Sequence, residues 1–460
     1  MNLCVNSRGG TFYLSSMKES QTGTSVFEYV DKCIEDVGPE KVVQVITDGA
    51  DNNLAAAAKM LKEKRPGIFW SSCAAHTVNL MLEDIFKLPK ISKYIDKAKA
   101  LTLFVYAHEK TFAVMRHDTK EKDVVRAGVT RFATTFLPLQ SLLEKKQQLM
   151  SIFVSYKWDR CKDSIYMNGR FCYYTCLSPA FWNGVSRVVN VLEPLVKVLK
   201  MVEGEKKPSM GFIYGELLEA KRCIKAATNN LEKYYHPIFE IIDEKIRGRL
   251  DSPLHLAAYL LNPFYLYNKP DVVKLDETLM NGFLTCVETF YHGELEKQEK
   301  VINHEFRVYQ DKLGFFGKPY ALRGCEQNTD EFDLEHWWSM YGCTVRNLAI
   351  LARKILSLTS CSSGCQRNWS TFKQIHKSER NRLDADRMDS LVYVQFNSNL
   401  LNKRKRIKEV GEYDMLVGDD GENVEEWFVE VGQGEEDEHI DEDDEDSAFH
   451  IEFESEDELM

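Results

Sequence analysis

Three groups of residues in this 460-residue chain could do chemistry. The first is a carboxylate. Asp48 follows the apolar run VVQVIT at residues 42–47 and opens the polar stretch DGADNN. A carboxylate at the exit of a buried strand faces the crevice in which α/β folds bind ligands, and carboxylates are the groups that hold hard divalent cations. The same position also suits an aspartate that only orders a turn, so both readings stand. The second group is Cys73 and His76 in Cys-Ala-Ala-His. That spacing is half of a zinc site, but no second pair follows at finger spacing, so no metal is expected there. Cys172 and Cys176, like Cys361 and Cys365, stand four apart, the step of one helix face instead of a zinc knuckle. The third group is basic: Lys403, Arg404, Lys405 and Arg406 read either as a nuclear localisation patch or as an ordinary helix end.

The elements that must position these groups follow from local pattern. Residues 3–5 and 11–15 read as two short strands around a Ser-Arg-Gly-Gly turn, and residues 25–37 as a helix. The β-branched run at 42–46 predicts a strand buried on both faces. Next come a helix over 54–65 stopped by Pro66-Gly67, a strand at 68–70 and a helix over 74–88. Strand, helix, strand, helix indicates an α/β layer with parallel strands. From residue 91 to about 303 the pattern is almost wholly helical, and Val188, Val189, Leu192, Leu195, Val196 and Leu199 form one apolar stripe of core type. Helical spacing resumes through Trp337, Trp338, Leu348, Leu351, Ala352, Ile355 and Leu358. A last amphipathic helix over 385–400 is expected to set Met388, Leu391, Val392 and Phe396 on one face.

Composition bounds the function classes. With 44% hydrophobic and 28% charged residues the chain can bury sizeable cores, and it contains no apolar run near the ~20 residues of a membrane span, so no membrane partner is expected. The 12 cysteines are scattered among apolar neighbours, unlike the dense framework of a small secreted fold, and reduced buried thiols are expected. The net charge of -12 conceals an asymmetry, because 24 of the 71 acids lie between Glu409 and Met460, where Lys and Arg are absent. Residues 1–408 are therefore net basic, which suits a polyanionic partner or a merely solubilising surface, and the acidic tail is expected to be disordered.

Four segments taken together resemble the hAT transposase superfamily, in its branch with an uncharacterised block ahead of a C-terminal dimerisation region. They are VITDGADNN at 45–53, WSSCAAHTVNLMLEDI at 70–85, VTRFATTFLPLQSLL at 129–143, and CSSGCQRNWSTFKQIHKSERNRLDADRMDSLVYVQFN at 361–397. The resemblance implies an α/β, RNase H-like core interrupted by a large all-helical insertion, with three acids holding two divalent metals for in-line phosphoryl displacement. It divides the chain into a first part of the core at 1–125, a helical insertion at 126–320, a dimerisation region completing the core at 321–400, and a basic patch with acidic tail at 401–460.

Carried over by position, the second acid is Asp48, the family Cys-x-x-His is Cys73 and His76, and the aromatic that contacts DNA is Phe132 beside Arg131. The last acid, a glutamate before arginine in the family, is replaced by Gln366 before Arg367. The first acid is expected on a strand ahead of residue 3 and is read as missing, as is the family's zinc-binding DNA-recognition module. Neutral Gln366 cannot repay the dehydration of a divalent cation, so the expectation is a degenerate, non-catalytic protein that has lost the ancestral Mg or Mn pair and needs no cofactor. Trp337, Trp338, Leu348, Leu351, Ile355, Trp369 and Phe372 are the expected dimerisation anchors, with purely intrachain packing as the alternative. The expected partners are a second copy or related hAT proteins, with non-specific DNA contact by the basic body, in the nucleus. An active transposase or nuclease in a longer form, and a domesticated DNA-associated regulator, are the competing readings.

Overall fold

The computed structural model describes residues 1–7, 10–17, 22–49, 52–107, 133–204, 207–268, 276–329, 332–365 and 385–410. The predicted hairpin forms from β1 (Asn2–Ser7) and β2 (Gly10–Ser16), which pair antiparallel with an irregularity between Leu3 and Cys4. Helix α1 (Gly23–Val37) is started by Thr22, whose hydroxyl accepts from the Ser25 N–H while the Ser25 hydroxyl accepts from the Thr22 N–H. Then follow β3 (Gln44–Thr47), α2 (Asn52–Lys64), β4 (Phe69–Ser72) and α3 (Ala74–Phe86). β3 and β4 are parallel and pair Gln44 with Phe69 through to Thr47 with Ser72, as the alternation of strand and helix predicts.

Two expectations need correction. The four strands make two separate two-stranded sheets, so the described strands do not form one continuous sheet. β3, expected to be buried on both faces, is half-buried along its whole length. Val45 packs toward the α1–α2 cluster of Val26, Val30, Ile34, Ala57, Leu61 and Ile68, while Val43, just ahead of the strand, packs toward a large helical core. In a two-stranded sheet, however, β3 keeps an edge that no further described strand covers.

The described residues separate into two compact units, 1–87 with 190–410 and 88–189. In the second unit α4 (Pro89–Ala107), α5 (Ala133–Glu144), α6 (Lys146–Phe153) and α7 (Met167–Leu177) are followed by α8 (Pro179–Glu203), whose later residues belong to the first unit. Cys172 and Cys176 are both buried on α7, on one helix face as their spacing predicts.

The first unit continues with α9 (Met210–Ala227), α10 (Glu232–Ile246), α11 (Pro253–Leu261), α12 (Glu277–Phe290), α13 (Leu334–Tyr341), α14 (Arg346–Leu356) and α15 (Ala385–Val410). Its core holds all of α11 from Leu254 onward together with Phe283, Tyr309, Phe316, Trp337, Trp338, Leu348, Leu351 and Ile355. The terminal carbonyls of a helix lack intrahelical donors. At the end of α11 Leu260 and Leu261 receive the Tyr309 hydroxyl at 3.3 Å and the Trp338 indole N–H at 2.9 Å. At the other pole of the core, buried Glu305 accepts from the Leu348 N–H at 2.6 Å and from the Asn347 amide at 3.2 Å, placing a carboxylate at the N-terminus of α14.

Candidate functional site

Because β3 and β4 are parallel neighbours, Asp48 and Cys73, each the residue after its strand, emerge side by side at the carboxyl end of the pair, and the Cys73 N–H donates to the Thr47 carbonyl at 2.9 Å. Helix α3 starts from Cys73, and His76 lies half-buried on its first turn. The chain returns to this place 288 residues later. After α14 the segment 360–365 threads past both groups. The Ser360 carbonyl accepts from the Ala74 N–H at 2.8 Å, and the Ser360 hydroxyl is 2.7 Å from that of Ser209. The Cys73 thiol donates to Cys361 Sγ at 3.7 Å, and the Ser362 N–H donates to Cys73 Sγ at 3.3 Å. The Ser362 hydroxyl donates to the Asp48 carboxylate. The Ser363 N–H donates to Cys361 Sγ at 3.2 Å. Gly364 lies against the hairpin, where a Cβ would stand 2.5 Å from Thr11 Oγ1, so only glycine passes. Cys365 receives hydrogen bonds from the side chain and main chain of Cys4 in β1.

Electrostatics distinguish the thiols. Cys73, donating to Cys361 and deeply buried, is pushed well above its ordinary value. Cys361 is drawn below it, first by the Cys73 S–H and then by the Ser363 donors, which outweigh burial. Cys365 is lowered chiefly by its hydrogen bond from Cys4. The site is thus one carboxylate, one hydroxyl and four sulfurs at the junction of the two small sheets. Among the described residues no group of three or more His, Cys, Asp or Glu side chains converges as a metal-ligand set.

Of the residues singled out from sequence, the structure brings Asp48 and Cys73 together and sets His76 one turn away. Arg131, Phe132, Gln366, Trp369 and Phe372 lie outside the described residues. Lys403, Arg404, Lys405 and Arg406 ride on the closing turns of α15, where only the backbone is described. Trp337, Trp338, Leu348, Leu351 and Ile355 are all no more than 4% exposed within the chain's own core, so the anchors read from the sequence are not surface groups in this structure. Cys361 and Cys365 do not share one helix face as their spacing predicts, because Cys361 lies ahead of the helical residues 363–365.

Sequence reasoning missed Ser362 as the partner of Asp48 and Cys361 as the partner of Cys73. It also missed the contact of α15 with the hairpin. There the Asn397 side chain receives the Tyr13 N–H at 3.0 Å and donates to the Tyr13 carbonyl at 3.1 Å, while Asp389 accepts from the Ser16 N–H at 3.1 Å and from the Tyr13 hydroxyl. An amide side chain in this place mimics the next strand of a ladder and covers the β2 edge. The asparagine itself was visible; nothing in a linear reading marks it as a strand substitute.

Comparison with known proteins bears on both blocks that meet at this junction. Residues 1–101 match the family described as Domain of unknown function (DUF659), and residues 320–398 match the hAT family C-terminal dimerisation region. Together the two matches support a hAT-superfamily transposase-derived protein. No curated protein matches it. In this hAT-derived chain the two matched blocks contribute the two sides of the junction, Asp48 and Cys73 from the first, Cys361 and Ser362 from the second. Among its described residues no helix is long and apolar enough to cross a membrane.

Proposed function

We propose that this hAT-derived protein acts without catalysis, by self-association through the outer face of α15. The observation that carries the reading is an unpartnered apolar stripe inside and just beyond the matched dimerisation region. Met388, Val392 and Phe396 turn toward the hairpin, whereas Leu391, expected on that same face, is 46% exposed. At 100° per residue it falls between the two faces of the helix and joins Val394, 61% exposed, and Leu401, 51% exposed. With exposed Ser398 these residues step by three, four and three, the spacing of a seam between two helices. A second copy presenting the same stripe is the matching partner, since closed two-fold contacts pair one patch with itself.

Size-exclusion chromatography with light scattering tests this. The expected result is a mass approaching twice 53.2 kDa as concentration rises. Leu391→Asp with Val394→Asp is expected to weaken the dimer roughly 100-fold or more, since moving two apolar side chains from an interface to charge costs on the order of 3 kcal/mol. The circular dichroism spectrum should be unchanged. A wild-type chain that stays monomeric throughout, or a double variant that dimerises normally, would exclude the proposed face.

Loss of transposase chemistry is the second half of the proposal. A parallel strand pair flanked by helices, with Asp48 at its exit, supports descent from an RNase H-like core divided as the family pattern implies. The residues around Asp48 do not fit a pair of hard cations: its carboxylate accepts a hydrogen bond from the Ser362 hydroxyl, and its further neighbours are thiols, which favour softer metals. Gln366 offers an amide where the family has a carboxylate. The protein is accordingly read as cofactor-free and nuclear, with Lys403–Arg406 as its localisation patch and any DNA contact non-specific and salt-sensitive. The expected result with duplex DNA and Mg or Mn is no cleavage by either the wild type or Asp48→Ala. Metal-dependent nicking that Asp48→Ala abolishes would defeat this half while leaving the dimer in place.

A further inference from the structure

We infer that Cys73 and Cys361 form a peroxide-responsive dithiol that closes to a disulfide and joins the two family-matched blocks covalently. The inference stands independently of whether the chain dimerises or cleaves DNA. It begins with geometry. The two sulfurs are 3.7 Å apart and joined by a hydrogen bond donated by Cys73. Closing to the ~2.05 Å of a disulfide needs a movement of under two ångströms. Main-chain N–H groups face both sulfurs, Ser363 toward Cys361 and Ser362 toward Cys73, and such donors favour sulfur that carries negative charge. Of the two, Cys361 is the sulfur whose hydrogen bonds favour the thiolate, which makes it the attacking group and Cys73 the resolving one.

The choice of a covalent product over a metal rests on the surroundings. Although four sulfurs gather at this junction, among the described residues no group of three or more His, Cys, Asp or Glu is placed to hold a metal ion. The choice of oxidant rests on burial. Cys73 is 0% and Cys361 6% exposed, which favours a small oxidant such as hydrogen peroxide over a bulky disulfide. In the first step the Cys361 thiolate attacks one peroxide oxygen. The S–O bond forms, the O–O bond breaks, and the leaving hydroxide takes a proton and departs as water. In the second step Cys73 sulfur attacks the Cys361 sulfenic acid, the S–S bond forms, the S–O bond breaks, and the Cys73 proton leaves with the hydroxide as a second water. Two thiols are oxidised and one peroxide is reduced.

The test uses the full chain, treated with hydrogen peroxide, alkylated, digested without reductant and read by tandem mass spectrometry. The expected product joins the peptide containing Cys73 to the Cys361 sulfur of the peptide containing Cys361 and Cys365. It should disappear on reduction with dithiothreitol, be absent from Cys361→Ser, and persist in Cys343→Ser, which alters an exposed thiol elsewhere. Because the wild-type map stands alone, poor folding of Cys361→Ser would not weaken it. Oxidation of Cys361 to sulfinic acid without a cross-link would overturn the inference. So would a cross-link from Cys365 to Cys361 or Cys4 in place of Cys73, or stoichiometric zinc in the untreated protein.

Discussion

Replacing Trp338 by alanine is expected to remove about 3–5 kcal/mol of folding free energy, the usual cost of deleting a large aromatic from a packed core. Against a total of about 5–15 kcal/mol, that leaves the first unit marginal or unfolded. The side chain is 0% exposed and surrounded by rings, with Tyr309, Phe316 and Trp337 centred 4.6, 5.5 and 5.7 Å away. Its indole N–H also satisfies the Leu261 carbonyl at the end of α11, so truncation leaves a buried acceptor without its donor as well as a cavity. Urea denaturation at constant protein concentration measures the effect as a lowered midpoint. A loss of under about 1 kcal/mol accompanied by weaker self-association would return Trp338 to the interface role its sequence context suggested. Trp338→Phe shrinks the cavity contribution, since it keeps most of the ring volume while deleting the hydrogen bond.

Acidification between pH 6.5 and 4 is expected to cost on the order of 3 kcal/mol through one histidine. His255 lies on α11, 0% exposed; its Nδ1 is 2.7 Å from the Ser252 hydroxyl, while its Nε2 is buried without a hydrogen-bond partner. Burial lowers its pKa from the ordinary 6.5 to about 4. A base whose folded pKa is depressed stays neutral in the fold, while the unfolded chain takes up a proton below 6.5. Its contribution is therefore complete above about pH 6.5 and drains away as the pH falls through 4. Asp31, held below its ordinary 3.8 chiefly by Arg65, and Asp84, held down chiefly by Lys245, act in the same direction but only at more acid pH. Denaturation midpoints from pH 7.5 to 4.5 should slope downward for the wild type and run nearly level for His255→Leu. An equal slope in both would place the titration elsewhere.

How much of this could be read from the residues depends on the range of the interaction. β3, α2, β4 and α3 are legible because each is set by local pattern: β-branched Val45-Ile46, a basic last turn before Pro66-Gly67, and an apolar stripe through Val78, Met81, Leu82 and Ile85. Asp48 is legible as a strand-exit carboxylate for the same reason. Its partner Ser362 is not, since the two are separated by 314 residues and serine carries no signal of its own. The family pattern did place the C-terminal block near Asp48, and segment 360–365 does arrive there. The fate of the tryptophans was illegible for a different reason. Apolar spacing says that a face is buried but not whether the chain or a second copy buries it, and Trp337 and Trp338 find Phe316 and Tyr309 first. Leu391 was misassigned because a helix turns 100° per residue and the position next to buried Val392 already lies at the margin of the stripe.

The Asn397 latch on Tyr13 fixes an order of events during synthesis. The two residues are 384 positions apart, and at roughly 5–20 residues per second the ribosome needs about 20–80 s to deliver the asparagine after the tyrosine has emerged. Throughout that interval the outer rim of the hairpin carries amide and carbonyl groups that have no intended mate and can zip onto any passing strand. A holdase that shields the hairpin until α15 is made is therefore expected to raise production yield, a gain that stabilising the finished fold alone would not give.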